Sequence, residues 1–179
     1  MPSLTAVMKA DICGMVVDRG QGRLGYAASV LLKLLLYPRL QAVLLFRLAH
    51  WLYGRQLTPL AYWLQAVILR NSGAEIHPAA QIGPGLCLVH SSGIVIGDRA
   101  KIGAHFVCFH GVTIGDSGKG DGQPVLGDWV TASAGAKILG GITIGDRVVI
   151  GANSVVLNDL PAYAVAVGSP ARVVRLREP

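Results

Sequence analysis

From Ile76 onward, aliphatic or small residues return every six positions: Ile76, Ile82, Leu88, then Ile96, Ile102, Cys108, Ile114, then Leu126, Ala132, Ile138, Ile144, Ile150, Val156 and Ala162. A period of six matches neither a helix nor an alternating strand. It predicts a parallel β-helix, in which each unit makes one flat side and a turn and three units close a triangular coil. The recurring residue points inward and stacks on its equivalents above and below, giving a continuous one-dimensional core. Glycine follows many of these positions, as in Ile82-Gly83, Ile102-Gly103 and Ile150-Gly151, where a tight corner crowds a Cβ. The register breaks twice. It slips by two between Leu88 and Ile96, across His90-Ser91-Ser92-Gly93, and it skips a full repeat between Ile114 and Leu126. The second break holds the Gly-rich polar stretch 116–124, which must leave the coil as a loop. Loops carried on a rigid scaffold are where chemistry is usually placed.

Before the repeats, residues 24–70 are rich in Leu, Ala, Arg and Gln, which favour helix. Pro38 and the stretch 54–59 divide them into about three helices. No uncharged apolar run reaches the roughly 18 residues of a membrane span. These helices are therefore expected either to pack against a partner subunit or to lie on a membrane surface. The pattern divides the chain into a helical segment (1–74), a β-helix (75–167) and a tail (168–179). The fold class is mainly β, with an N-terminal α-helical segment.

Charge sharpens the first of these parts. The chain carries 16 Lys+Arg and 10 Asp+Glu, a formal net charge of +6, and eight of the basic residues against three acidic ones fall in 1–75. An anionic surface or partner suits that excess. Nucleic acid does not, because no basic-aromatic cluster or nucleic-acid motif is present. Cys13, Cys87 and Cys108 form no paired framework and read as core residues of a reducing compartment. No secretory leader is expected, since the start lacks the cationic, apolar and small-residue regions. The chain is expected to be cytoplasmic, with the inner face of the membrane as the alternative address.

Five segments together resemble the serine acetyltransferase family of hexapeptide acyltransferases: HWLYGRQLTPLAYWLQ (50–65), EIHPAAQIGPGLCLVHSSGIVIG (75–97), VTIGDSGKG (112–120), GAKILGGITIG (135–145) and VGSPARVVR (167–175). The resemblance implies a left-handed β-helix, a homotrimer or a dimer of trimers, and acetyl-CoA as co-substrate in a groove between neighbouring subunits. It places the catalytic histidine on His90. Direct acetyl transfer needs a base to take the proton of the attacking hydroxyl, a task suited to imidazole. Backbone N–H groups near the thioester can steady the oxyanion. The family's orienting carboxylate, fifteen residues earlier, falls on Glu75, where the family usually has Asp. His110 either reaches the acceptor or is a corner residue. His77 and His105 read as corner residues, and His50 belongs to the helical segment. The resemblance also implies coenzyme contacts at Thr113, Gly118, Lys119, Ala134, Gly135, Ala136, Ala152, Pro170 and Arg172. No metal-ligand spacing is present, and no metal is expected.

The departures from the family concern the acceptor. Val89 stands where the family has Asp before its histidine, and Gly122-Gln123 stand where it has Arg-His before Pro124. The stretch YAASVLLKLLLYP supplies no acidic residue. A serine zwitterion needs partners for both of its charges, and neutral residues leave them unpaired. His110, Val89 and Gln123 are then expected to line a neutral polar acceptor pocket. The expected activity is acetylation of a hydroxyl on a sugar or polysaccharide precursor. Serine O-acetylation feeding cysteine synthesis is one alternative, and a non-catalytic β-helix scaffold is the other.

Overall fold

The computed structural model describes residues 3–16, 20 and 22–178. Among these, four helices precede the repeats: α1 (Leu4–Met15), α2 (Gly22–Leu36), α3 (Pro38–Tyr53) and α4 (Thr58–Ser72). The last three match the expected division at Pro38 and 54–59. Helix α1 lies before the segment that sequence pattern marked as helical. Pro38 opens α3 at a position whose N–H would be unpaired anyway. Leu40, Val43, Phe46 and Arg47 then return at helical spacing and are buried. Gly73, at φ 69°, closes α4 in the left-handed conformation and returns its N–H to Leu69.

Three parallel sheets form the sides of the prism. The first stacks β1 (Glu75–Ile76), β4 (Val95–Ile96), β7 (Thr113–Gly115), β10 (Lys137–Leu139) and β13 (Val155–Val156). The second stacks β2 (Gln81–Ile82), β5 (Lys101–Ile102), β8 (Val125–Leu126) and β11 (Thr143–Ile144). The third stacks β3 (Cys87–Leu88), β6 (Val107–Cys108), β9 (Thr131–Ala132), β12 (Val149–Ile150) and β14 (Ala164–Gly168), and β15 (Ala171–Leu176) pairs antiparallel to β14. Register follows the repeat: Ile76 pairs with Ile96, Ile96 with Ile114, and Ile114 with Ile138. Both sequence slips are thus absorbed at corners and leave the stack in step.

Every expected inward position is buried except Ala162, which is exposed; Leu160, Ala164 and Ala166 take over the interior there. Fully burying an Ile or Leu contributes about 1.5–3 kcal/mol, so each such position is a separate increment of a linear core. A second buried column lies two residues before each first one, including Leu86, Ile94, Phe106, Val112 and Val130. The tail expected from residue 168 is in fact the hairpin strand β15.

The helices meet the first coil through a buried ion pair. The Asp11 carboxylate accepts from Arg47 Nε at 2.8 Å and from the peptide N–H groups of Gly85 and Leu86 at 2.8 and 2.9 Å. Arg47 also donates to the carbonyls of Ile82 and Gly83 at 2.5 and 2.7 Å. By contrast α2 buries no residue, and Leu24, Leu31, Leu32, Leu35 and Leu36 are 56–89% exposed. Among the described residues no single helix is long and apolar enough to cross a membrane. Helices α2 and α3 have the composition only together, bent by 89°, and α3 spends its apolar face inside the protein. Both readings of this segment, a partner subunit or a membrane surface, require an exposed face such as the one α2 presents.

Candidate active site

His90 and His110 stack on one corner of the prism, where the third sheet hands the chain to the first. The two rings meet edge to face with centroids 5.7 Å apart, and both side chains are exposed. The corner continues through Ala134 and Ala152. Gly135 N–H donates to the His110 carbonyl and Asn153 N–H to that of Ala134, both at 2.8 Å. Coils are spaced by about 4.8 Å, so His90 to Ala152 spans roughly 14 Å of corner lined mainly by small residues. Past His110 the side chains at the corner are small, with Ala134, Gly135 and Ala152 flanked by Ser133 and the exposed Asn153. The N–H groups of Ala134 and Ala152 donate to no backbone carbonyl among the described residues. An extended chain carrying amide carbonyls, such as the pantetheine arm of acetyl-CoA, fits such a track. Gly135 is required for it: its φ is 73°, and a Cβ there would stand 2.1 Å from Asn153 Oδ1.

Other expected site residues flank this corner. Ala136 is buried behind it. Glu75 and Thr113 occupy the outward row of the first sheet, where Glu75 pairs with Val95 and Val95 with Thr113. No hydrogen bond joins Glu75 to His90 among the described residues. Thr113 Oγ1 lies 3.1 Å from Lys137 Nζ, which also donates to the Gly111 carbonyl at 2.5 Å. At the far end, Gly168 N–H donates to Ser154 Oγ at 3.1 Å, which sets the turn containing Pro170 and the exposed Arg172 against the same corner.

Gly118, Lys119 and Gln123 belong to a different corner, between the first and second sheets. The loop is braced there by Gly118 N–H to Asp116 Oδ1 (2.6 Å) and Ser117 Oγ to Asp121 Oδ1 (2.7 Å). The Gln123 amide is engaged by its own chain, donating to Asp98 Oδ1 at 2.7 Å and accepting from Arg99 N–H at 3.1 Å. A single chain therefore does not bring Gln123 to His90.

The remaining histidines are held within the fold. His50 Nδ1 lies 2.8 Å from the Pro78 carbonyl, His77 Nε2 lies 3.1 Å from the Tyr62 hydroxyl, and His105 stacks on Trp129 at 3.8 Å. A cleft of about 680 Å³ between α3 and the second sheet is lined by His50, Trp51, Arg55 and Lys101. It contains none of the corner residues, and an extended thioester calls for an open track rather than this cleft. Sequence reasoning missed Arg39, in the first turn of α3, whose guanidinium donates to the Val89 carbonyl beside His90. No motif or period marks it, because its place depends on a contact fifty residues along the chain.

The family model for bacterial transferase hexapeptide (six repeats) matches residues 124–158. Over 143 residues the chain is 48% identical to the serine acetyltransferase of Helicobacter pylori, covering 79% of this chain and 84% of that protein. The chain belongs to the serine acetyltransferase family. It is an O-acetyltransferase that uses acetyl-CoA, built on a left-handed β-helix. Soybean serine acetyltransferase complexed with serine superimposes with a TM-score of 0.84 at 40% identity, covering 97% of this chain and 70% of that one. Serine acetyltransferase from Brucella abortus in complex with coenzyme A gives 0.82 at 36% identity, covering 95% and 67%. None of these relatives supports a sugar acceptor.

Proposed function

We propose that the protein transfers the acetyl group of acetyl-CoA to the hydroxyl of L-serine, with His90 as general base. The observation that carries this reading is the 48% identity to a serine acetyltransferase, 84% of whose length is covered, together with an open corner displaying His90 beside a track of small residues. The imidazole of His90 takes the proton of the acceptor hydroxyl as that oxygen bonds to the thioester carbonyl carbon. It returns the proton to the sulfur as the C–S bond breaks, leaving O-acetylserine and free coenzyme thiol. Free N–H groups along the corner can steady the oxyanion. Glu75, on the adjoining sheet, is the candidate to orient the imidazole once substrate orders it.

The separation of Gln123 and Lys119 from His90 within one chain supports a homotrimer. In a closed ring, the loop corner of one protomer can meet the histidine corner of the next. Light scattering should then give a trimer or a multiple of it; an active monomer would overturn the shared groove. A sugar hydroxyl remains as the second reading, favoured by the neutral Val89, Gly122 and Gln123. Thiol release from acetyl-CoA, run with L-serine against a panel of sugars, decides between them. Saturation by L-serine supports the first reading, and turnover confined to sugars supports the second.

A further inference from the structure

We propose that Arg39 holds an anionic group of the acceptor, so that the enzyme selects hydroxyl compounds carrying a carboxylate close to the reacting oxygen. This rests on the acyl-transfer reading of the His90 corner. Arg39 is half-buried in the first turn of α3, at the positive end of the helix. Its guanidinium donates to the Val89 carbonyl, and the next residue is His90. The same positive charge is felt by Cys87 at the end of β3, whose thiol it lowers against the larger upward effect of burial. The charge therefore lies against the backbone of the residue that precedes His90.

Among the described residues Arg39 pairs with no carboxylate. A guanidinium has five N–H donors, and the Val89 carbonyl takes one of them. The corner segments 89–94, 109–112, 133–136 and 151–154 contain no Asp or Glu. A partly desolvated cation with spare donors, beside a base that must receive a hydroxyl, matches a planar carboxylate. Helix α3 is anchored by Arg47 to the first coil, so Arg39 is held against the site by a rigid element.

The test compares acceptors in pairs that differ in one anionic group: L-serine with L-serinamide, glycerate with glycerol, and glucuronate with glucose. Both kcat/KM and calorimetric binding are read for the wild type, Arg39→Gln and Arg39→Lys. Wild type should favour the anionic member of each pair it uses. Arg39→Gln should reduce that preference by about 10- to 100-fold, the worth of one charge-assisted hydrogen bond, and Arg39→Lys should keep part of it. The ratio is internal to each variant, so a general loss of folded protein cancels. Equal losses for both members, or a wild type indifferent to charge, overturns the proposal. Preference for glucuronate over glucose with no use of serine would sink the serine reading and leave Arg39 in its role.

Discussion

Replacing Asp11 by Ala should be among the most damaging single changes outside the β-helix. The carboxylate is fully buried and accepts four hydrogen bonds: two from Arg47, at 2.8 and 3.1 Å, and one each from Gly85 and Leu86. Without it two peptide N–H groups lose their partner, each at about 1–3 kcal/mol. Arg47 stays buried with only the Ile82 and Gly83 carbonyls to receive it. These penalties overlap, and removing one member of a buried ion pair typically costs about 3–5 kcal/mol in all. Arg47→Met leaves the carboxylate with two N–H donors and should fall at or below the lower end of that range. The double variant should cost clearly less than the sum of the singles, because no charge is then stranded. Urea unfolding followed by circular dichroism at fixed protomer concentration measures all three. A loss below about 1 kcal/mol for Asp11→Ala, or strict additivity, would refute the idea that this pair pins α1 and α3 to the first coil.

His90→Ala should lower turnover about 100-fold or more while thermal unfolding stays near wild type, since the side chain is outside the stacked interior; near-normal turnover removes His90 as the base. Gly135→Ala should destabilise by more than about 1 kcal/mol, being strained in φ and pressed on Asn153, whereas Gly115→Ala meets nothing within 4 Å and should be nearly silent in the same melts. Burial pushes the Cys108 thiol well above its ordinary value of 9.0, so a thiol reagent should label exposed Cys13 quickly and Cys108 only on unfolding. Because the folded state holds that proton more tightly, stability should be unaffected below the ordinary thiol value and decline as the pH rises past it. Unchanged urea midpoints between pH 8 and 10 would contradict this.

The β-helix was legible because its core is one-dimensional: a residue and its stacking partners recur at a fixed interval, so period alone reveals burial. Ala162 departs from the pattern where the last coil gives way to the β14–β15 hairpin, and the repeat no longer has a coil below it to match. The exposed corner that carries His90 was legible as well, since a register break on a rigid stack marks a turn; the role given to His90 rests on the family resemblance. Helix α1, Asp11 and Arg39 were not legible. Asp11 meets Leu86 across 75 positions, and nothing near it in the chain signals a buried carboxylate. Gln123 shows the opposite limit. Its type and position suggested an acceptor contact, yet its amide is committed to Asp98 and Arg99 within its own chain.

The hairpin strand β15 also closes the third sheet. A stack of parallel coils has no intrinsic last member, and its final rung offers unpaired peptide groups on which another chain can grow. By turning back antiparallel along β14, residues 171–176 occupy that edge with a strand running the wrong way to seed a further coil. At the other end, α1 and α3 sit over the first rung. The third sheet is therefore closed at its last rung, and the first rung is covered, by pieces that do not obey the repeat. Removal of β15 should expose the edge of β14 and make the protein adhesive there, while also taking away Arg172 from beside the histidine corner.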